Sequence, residues 1–117
     1  FSNTDSAVFY SNRMVKTATQ INQPSFLGRA YNALASTFDK LQRYDSALKY
    51  FEMAQPLLLE AEDINDLAVT YMGLGHIYLF QGSHDLSLAQ YQKTIDLLAG
   101  TNELNSLSRA YSNIGMV

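Results

Sequence analysis

The sequence predicts an all-α solenoid of antiparallel helix pairs, about six helices in all. The first observation behind this is a forty-residue repeat: Leu27-Gly28-Arg29-Ala30-Tyr31 returns as Leu67-Ala68-Val69-Thr70-Tyr71 and again as Leu107-Ser108-Arg109-Ala110-Tyr111. A second string keeps the same step, Asp5-Ser6-Ala7-Val8, Asp45-Ser46-Ala47-Leu48 and Asp85-Leu86-Ser87-Leu88. A fixed period of this length marks units that bury their apolar faces against neighbouring units. The third observation is the spacing of apolar residues inside each unit, which follows the three-and-four rhythm of a helical face.

Taken in order, residues from about Thr4 to Ile21 form a second-type helix without its first. Leu27, Tyr31, Leu34, Phe38 and Leu41 make the apolar stripe of the next helix. Asp45 restarts the chain, and Leu48, Phe51 and Met53-Ala54 carry the helix after it. Pro56 lacks a backbone N–H, so that helix is expected to kink or end near Gln55. Leu67, Tyr71, Leu74 and Tyr78 form the fourth stripe, closed by Gly82, which takes the left-handed conformation that ends helices. Asp85 opens the fifth, where a carboxylate suits the positive end of the helix dipole. Its stripe is Leu88, Tyr91, Ile95 and Leu98, with Gly100 after it. The segment from about Leu104 to Val117 is a first-type helix without its second. The expected organisation is one solenoid fragment: half repeat 1–24, repeats 25–64 and 65–104, and half repeat 105–117. Both ends then cut through a repeat, as in a piece of a longer solenoid.

Composition narrows the function. No run approaches the roughly 18 apolar residues of a membrane span. The absence of cysteine excludes disulfides and cysteine metal sites. A net charge of −3 with no Lys/Arg cluster argues against nucleic acid and anionic membranes as partners. Only 16% of residues are charged, fewer than the roughly 25% of an average domain. That low share mildly favours an exported or cell-envelope setting, with the cytoplasm left open.

In detail the pattern resembles the tetratricopeptide repeat, whose first helix carries an aromatic, then Leu-Gly, then Tyr, and whose second carries a small residue and an aromatic. Tyr71, Leu74-Gly75, Tyr78, Gly82, Ser87 and Tyr91 follow that frame. So do Tyr31, Leu34-Ala35, Phe38, Tyr44, Ala47, Phe51 and Ala54, with Tyr111 and Ile114-Gly115 in the last half-unit. Ala35 stands where the family usually has Gly, and Thr94 where it has Ala. The repeat is also longer than the usual thirty-four residues or so, similar to long repeats in spindle-orientation adaptors for G-protein subunits and in bacterial signalling proteins. The resemblance implies a right-handed superhelix that holds other polypeptides in a concave groove lined by the first helices, as part of a larger signalling or assembly protein. The competing expectation is a spacer or dimerisation segment of a multidomain bacterial sensor or regulator, with no ligand of its own.

The groove places hold Arg29, Asn32, Ser36, Val69, Met72, His76, Phe80, Arg109 and Asn113. Arg109-Ala110-Tyr111-Ser112-Asn113 matches the adaptors' Arg-Ala-Tyr-x-Asn string, in which Asn clamps a partner's backbone and Arg pairs with its acidic side chains. The string at Arg29 matches only in part, with Asn32 one place early. Val69, Met72, His76 and Phe80 make the centre apolar. The expected partner is therefore a protein or peptide with apolar anchors and acidic flanks. Self-association through the cut repeat ends is a further expectation, with Leu107, Tyr111 and Ile114 as the uncovered stripe.

No residue pattern points to an enzyme. His76 has no nucleophile or carboxylate at a useful spacing, and neither it nor His84 has a second metal ligand nearby. His84 is expected to pack half-buried in a turn. Glu60, Glu62, Asp63 and Asp66 read as a solvated helix start. Neither cofactor nor metal is expected.

Overall fold

The computed structural model describes residues 3–99 and residue 114. The first described segment holds five helices: α1 (Asn3–Ile21), α2 (Pro24–Lys40), α3 (Tyr44–Glu60), α4 (Ile64–Phe80) and α5 (His84–Leu98). Among the described residues there is no strand, and the fold is the expected all-α array of helix pairs. Ile114 is helical and half-buried; the rest of the sixth expected helix lies outside the described residues.

Helices α2, α3 and α4 are each 17 residues long, and only three residues separate each from the next. Links this short leave the added length of the repeat in the helices. The links share one construction. Leu41 ends α2; Arg43 N–H then donates to the Phe38 carbonyl (2.9 Å) and Gln42 N–H to the Asp39 carbonyl (2.9 Å). Asp63 to Leu58 and Glu62 to Leu59 repeat the pair after α3, and Ser83 to Tyr78 and Gly82 to Leu79 repeat it after α4. This double bond satisfies carbonyls that a helix end leaves open, and it requires a left-handed residue at its centre. That residue is Gln42 (φ 60°), Glu62 (φ 54°) and Gly82 (φ 79°) in turn, with Asn22 (φ 59°) after α1. Only Gly82 takes the conformation without a Cβ penalty.

The chain forms two compact units, residues 1–67 and 68–117, divided inside α4. In the first, α2 packs against both α1 and α3. Ala30, Leu34, Ala35, Ala47, Phe51, Ala54 and Leu58 are sealed from solvent in its core. Gly28 permits the closest approach: a Cβ there would lie 2.7 Å from Leu58 Cγ and Cδ2. Tyr50 of α3 stacks against Tyr31 and Phe38 of α2, with centroids 6.0 and 5.7 Å apart. Between α1 and α2, the Ser11 and Thr37 hydroxyls are 3.3 Å apart.

In the second unit Leu74, Ile77, Tyr91, Ile95 and Leu98 are buried. A Cβ at Gly75 would meet the Tyr91 ring at 2.7–3.0 Å, so the ring lies directly on the α4 backbone. Ser87 Oγ donates to the Gly75 carbonyl at 2.8 Å, which satisfies a fully buried hydroxyl. Thr94, in the place of a usual Ala, is equally buried and donates back to the Gln90 carbonyl of its own helix (3.1 Å).

Three sequence expectations need correction. Helix α3 runs through Pro56 to Glu60. Both Pro56 and Glu52, whose carbonyl the proline cannot satisfy, are exposed, so water can serve that carbonyl. Beyond the proline, Leu58 is fully buried and holds the last turn in place. Met53 and Leu88, expected on apolar stripes, are 36% and 38% exposed, because each lies off the face that Ala54 and Tyr91 bury. His84 begins α5 and is exposed, whereas its counterpart Tyr44 is half-buried.

Candidate partner-binding surface

The expected groove residues of α2 and α4 occupy equivalent places but have different environments. In the first unit, Arg29 Nε donates to Asp66 Oδ2 at 2.6 Å and to Asp63 Oδ2 at 3.2 Å. Asp63 Oδ2 also accepts from Ser25 Oγ (3.0 Å), and its Oδ1 accepts from the Asp66 N–H (3.3 Å), capping the start of α4. Asn32 is 4% exposed and donates through Nδ2 to the Asp66 carbonyl at 2.9 Å. These bonds form a polar clasp that ties α2 to the first turn of α4.

The expectation that Asn32 faces a partner is therefore corrected: it is buried and bonded within the chain. Two aspartates already share the Arg29 guanidinium, although its side chain is 54% exposed. Ser36, one turn beyond Asn32, is half-buried. Asp63 and Asp66 are likewise not a simple solvated helix start; of the other two acidic residues, both exposed, Glu60 ends α3 and Glu62 lies in the link after it.

The clasp sets the two carboxyl groups apart. Burial opposes ionisation of Asp63, but the Asp66 N–H, the Ser25 hydroxyl and Arg29 outweigh it and hold this carboxyl below the ordinary range. Burial pushes the Asp66 carboxyl up, and the nearby Asp63 charge adds to the rise against the pull of Arg29. Arg29 is raised by its hydrogen bond to Asp66 and by both negative charges. Sequence reading missed the clasp because 34 and 37 residues separate its partners. A signal was present in the repeat frame, where Asp66 falls one turn before Val69, the counterpart of Arg29.

In the second unit the same places hold no carboxylate, lysine or arginine. Val69 is 45% exposed and Phe80 61%, while Met72 and His76 are half-buried. The His76 and Phe80 rings meet edge to face with centroids 4.8 Å apart. Spaced at three, four and four residues, the four side chains follow one face of α4. Tyr71 lies buried nearby in sequence, with Lys93 Nζ 5.6 Å from its ring centre, and burial raises its hydroxyl above the ordinary value. Arg109 and Asn113 lie outside the described residues.

Chemically, these surfaces offer packing and hydrogen bonding. Among the described residues no group of His, Asp and Glu could hold a metal ion, and no helix is long and apolar enough to cross a membrane.

The helix pairs, the small-on-aromatic contact of Gly75 with Tyr91 and the repeated links find their counterpart in a known family model. The tetratricopeptide repeat model matches residues 28–55 and 68–97. The chain belongs to the tetratricopeptide repeat family. The first match covers most of α2 and of α3, the second most of α4 and of α5. Repeats of this family mediate protein–protein interaction and form a non-enzymatic binding module. No curated protein sequence matches the chain.

Proposed function

We propose that this tetratricopeptide repeat chain is an interaction scaffold that holds a segment of a partner protein on the exposed face of α4. The carrying observation is the stripe Val69–Met72–His76–Phe80, which holds no carboxylate, lysine or arginine and whose two ends are among the more exposed apolar side chains of the described residues. A partner segment with two apolar anchors about three helical turns apart suits it, laid down as a helix or as a shorter extended stretch. Each anchor covers side chains that otherwise stand in water, at about 25 cal/mol per Å² of apolar area removed.

An acidic flank is a smaller contribution. Arg29 must share its guanidinium between Asp63, Asp66 and any incoming carboxylate, while Arg109 and Asn113 retain their sequence-based role in this reading. The scaffold serves a larger signalling or assembly protein.

Selection from a displayed peptide library tests the reading. Peptides enriched on the native chain should carry spaced apolar anchors and lose binding to Val69→Glu/Phe80→Glu, with Arg29→Gln weakening them less. Peptides that bind the double variant unchanged would remove α4 as the binding face.

A further inference from the structure

Within the first unit, α1 and α3 end, and α2 and α4 begin, at one edge of the helix array, which holds the links of residues 22–23 and 61–63. The link of residues 41–43 lies at the opposite edge. Two contacts tie the first edge together. Ser25 Oγ donates to Asp63 Oδ2 at 3.0 Å, and Gly28 sits against Leu58 near the end of α3.

The two edges show different side chains to solvent. Of the eight large apolar side chains exposed among residues 3–67, four stand within one helical turn of the first edge's links: Ile21 (49%), Phe26 (46%), Leu59 (51%) and Ile64 (43%). None stands within a turn of the opposite link, where Phe38, Leu41 and Tyr44 are half-buried. Single exposed apolar residues are ordinary, whereas their concentration on one edge marks an interaction surface. Charge divides the edges as well. Residues 19–28 and 57–66 contain Glu60, Glu62, Asp63 and Asp66 and neither lysine nor arginine. Arg29 is taken up by Asp63 and Asp66, so among the described residues the exposed Glu60 and Glu62 have no cation paired with them. At the opposite edge Lys40 and Arg43 balance Asp39 and Asp45.

We infer that the edge formed by Ile21, Phe26, Leu59 and Ile64 docks a basic amphipathic segment of a partner protein, whose lysines or arginines pair with Glu60 and Glu62. This surface shares no residue with the α4 stripe, and its charge preference is the reverse of that at Arg29. Covering the apolar side chains supplies most of the affinity. The two exposed charge pairs add less and mainly select the sign of the partner. They also repel anionic membranes and nucleic acid, which leaves a cationic polypeptide as the occupant.

Fluorescence anisotropy tests this with three labelled synthetic peptides: a Leu/Lys peptide of helical period, its Leu/Glu counterpart, and a Gly/Lys peptide without apolar anchors. The native chain should bind the first and neither of the others. Phe26→Ser/Ile64→Ser should weaken that binding by about tenfold or more. Glu60→Gln/Glu62→Gln should weaken it by about fivefold, and raised salt should do the same. Val69→Ser/Phe80→Ser should bind as the native chain does, which separates this edge from the face of α4. Circular dichroism checks the helicity of each variant. The glutamine variant, altered only at exposed positions, keeps the test decisive if the apolar variant unfolds. A native chain that does not bind the Leu/Lys peptide, or binds either control peptide equally, would overturn the inference. So would undiminished binding by a folded edge variant, or loss of binding in Val69→Ser/Phe80→Ser. Self-association of the native chain in sedimentation velocity, abolished by an edge variant, would instead make a second copy the occupant and overturn it too.

Discussion

The helix pairs α2–α3 and α4–α5 share one frame and fill it differently. Where α2 has Ala35 and α3 has Phe51, α4 has Gly75 and α5 has the larger Tyr91. Where the first pair turns through Gln42, the second turns through Gly82. The face with Arg29 and Asn32 on α2 is engaged by the start of α4, while the matching face of α4 carries Val69 and Phe80 into solvent. The frame conserves backbone geometry and the small–large complementarity of the core. Side chains on the remaining face are free to differ, and in the proposed function that freedom is what sets interaction specificity.

The largest effect should come from breaking the small–large complement. Gly75→Ala puts a methyl within 3 Å of a Tyr91 ring that is 1% exposed. Overpacking of about 1–3 kcal/mol opposes the gain of about 1 kcal/mol from better helix propensity. Net destabilisation is therefore expected in urea unfolding. The reciprocal Ala35→Gly should also destabilise, by about 1 kcal/mol from helix propensity, and it removes a methyl that is fully buried. Gly75→Ala costs stability by crowding the Tyr91 ring, and Ala35→Gly by lowering helix propensity and emptying a buried site.

Next comes the clasp. Asp63→Ala removes the acceptor at the start of α4 and should cost about 1 kcal/mol at neutral pH, the usual value of such a cap. Its pH dependence has a definite sign. A carboxyl held below its unfolded value of about 3.9 stabilises the fold above that pH and loses its contribution as pH falls through the lower, folded value. The gap between the native chain and Asp63→Ala should therefore narrow below about pH 4. Asp66 has the opposite sign. Its raised carboxyl makes the folded state bind the proton more tightly, so its contribution to stability declines as pH rises from about 3.9 through the folded value. Asp66→Asn should accordingly gain on the native chain across that window, as measured by unfolding at a series of pH values.

The smallest effect concerns the turns. Gln42→Gly should stabilise by about 0.5–1 kcal/mol, because a left-handed side chain costs more than the extra backbone freedom of glycine. Gly82→Gln should destabilise by a similar amount. Unequal responses would show that the two turns, alike in hydrogen bonding, differ in strain.

The sequence made much of the fold legible because the repeat supplied each assignment more than once. Asp45 and Asp85 marked two helix starts, and Tyr71, Leu74 and Tyr91 marked buried faces that the structure buries. What it concealed depends on neighbours distant in sequence. Pro56 reads as a stop when only its own helix is considered; burial of Leu58 carries the helix onward. Asn32 reads as an exposed amide until the Asp66 carbonyl, 34 residues away, is placed beside it. On the candidate surface the apolar stripe of α4 was legible, since one helix contains all of it. The engagement of Arg29 was not, because it depends on how α2 meets the first turn of α4.

Site-specific photo-cross-linking tests the central claim, that the face of α4 is the binding face and its counterpart on α2 is not. A photoreactive phenylalanine analogue would replace Phe80 in one sample and its counterpart Lys40 in another, each irradiated with a peptide selected on the native chain. The account predicts a strong cross-link from position 80 and a weak one from position 40. Equal yields, or cross-links only from control positions on α5 such as Leu86 or Leu88, would contradict it.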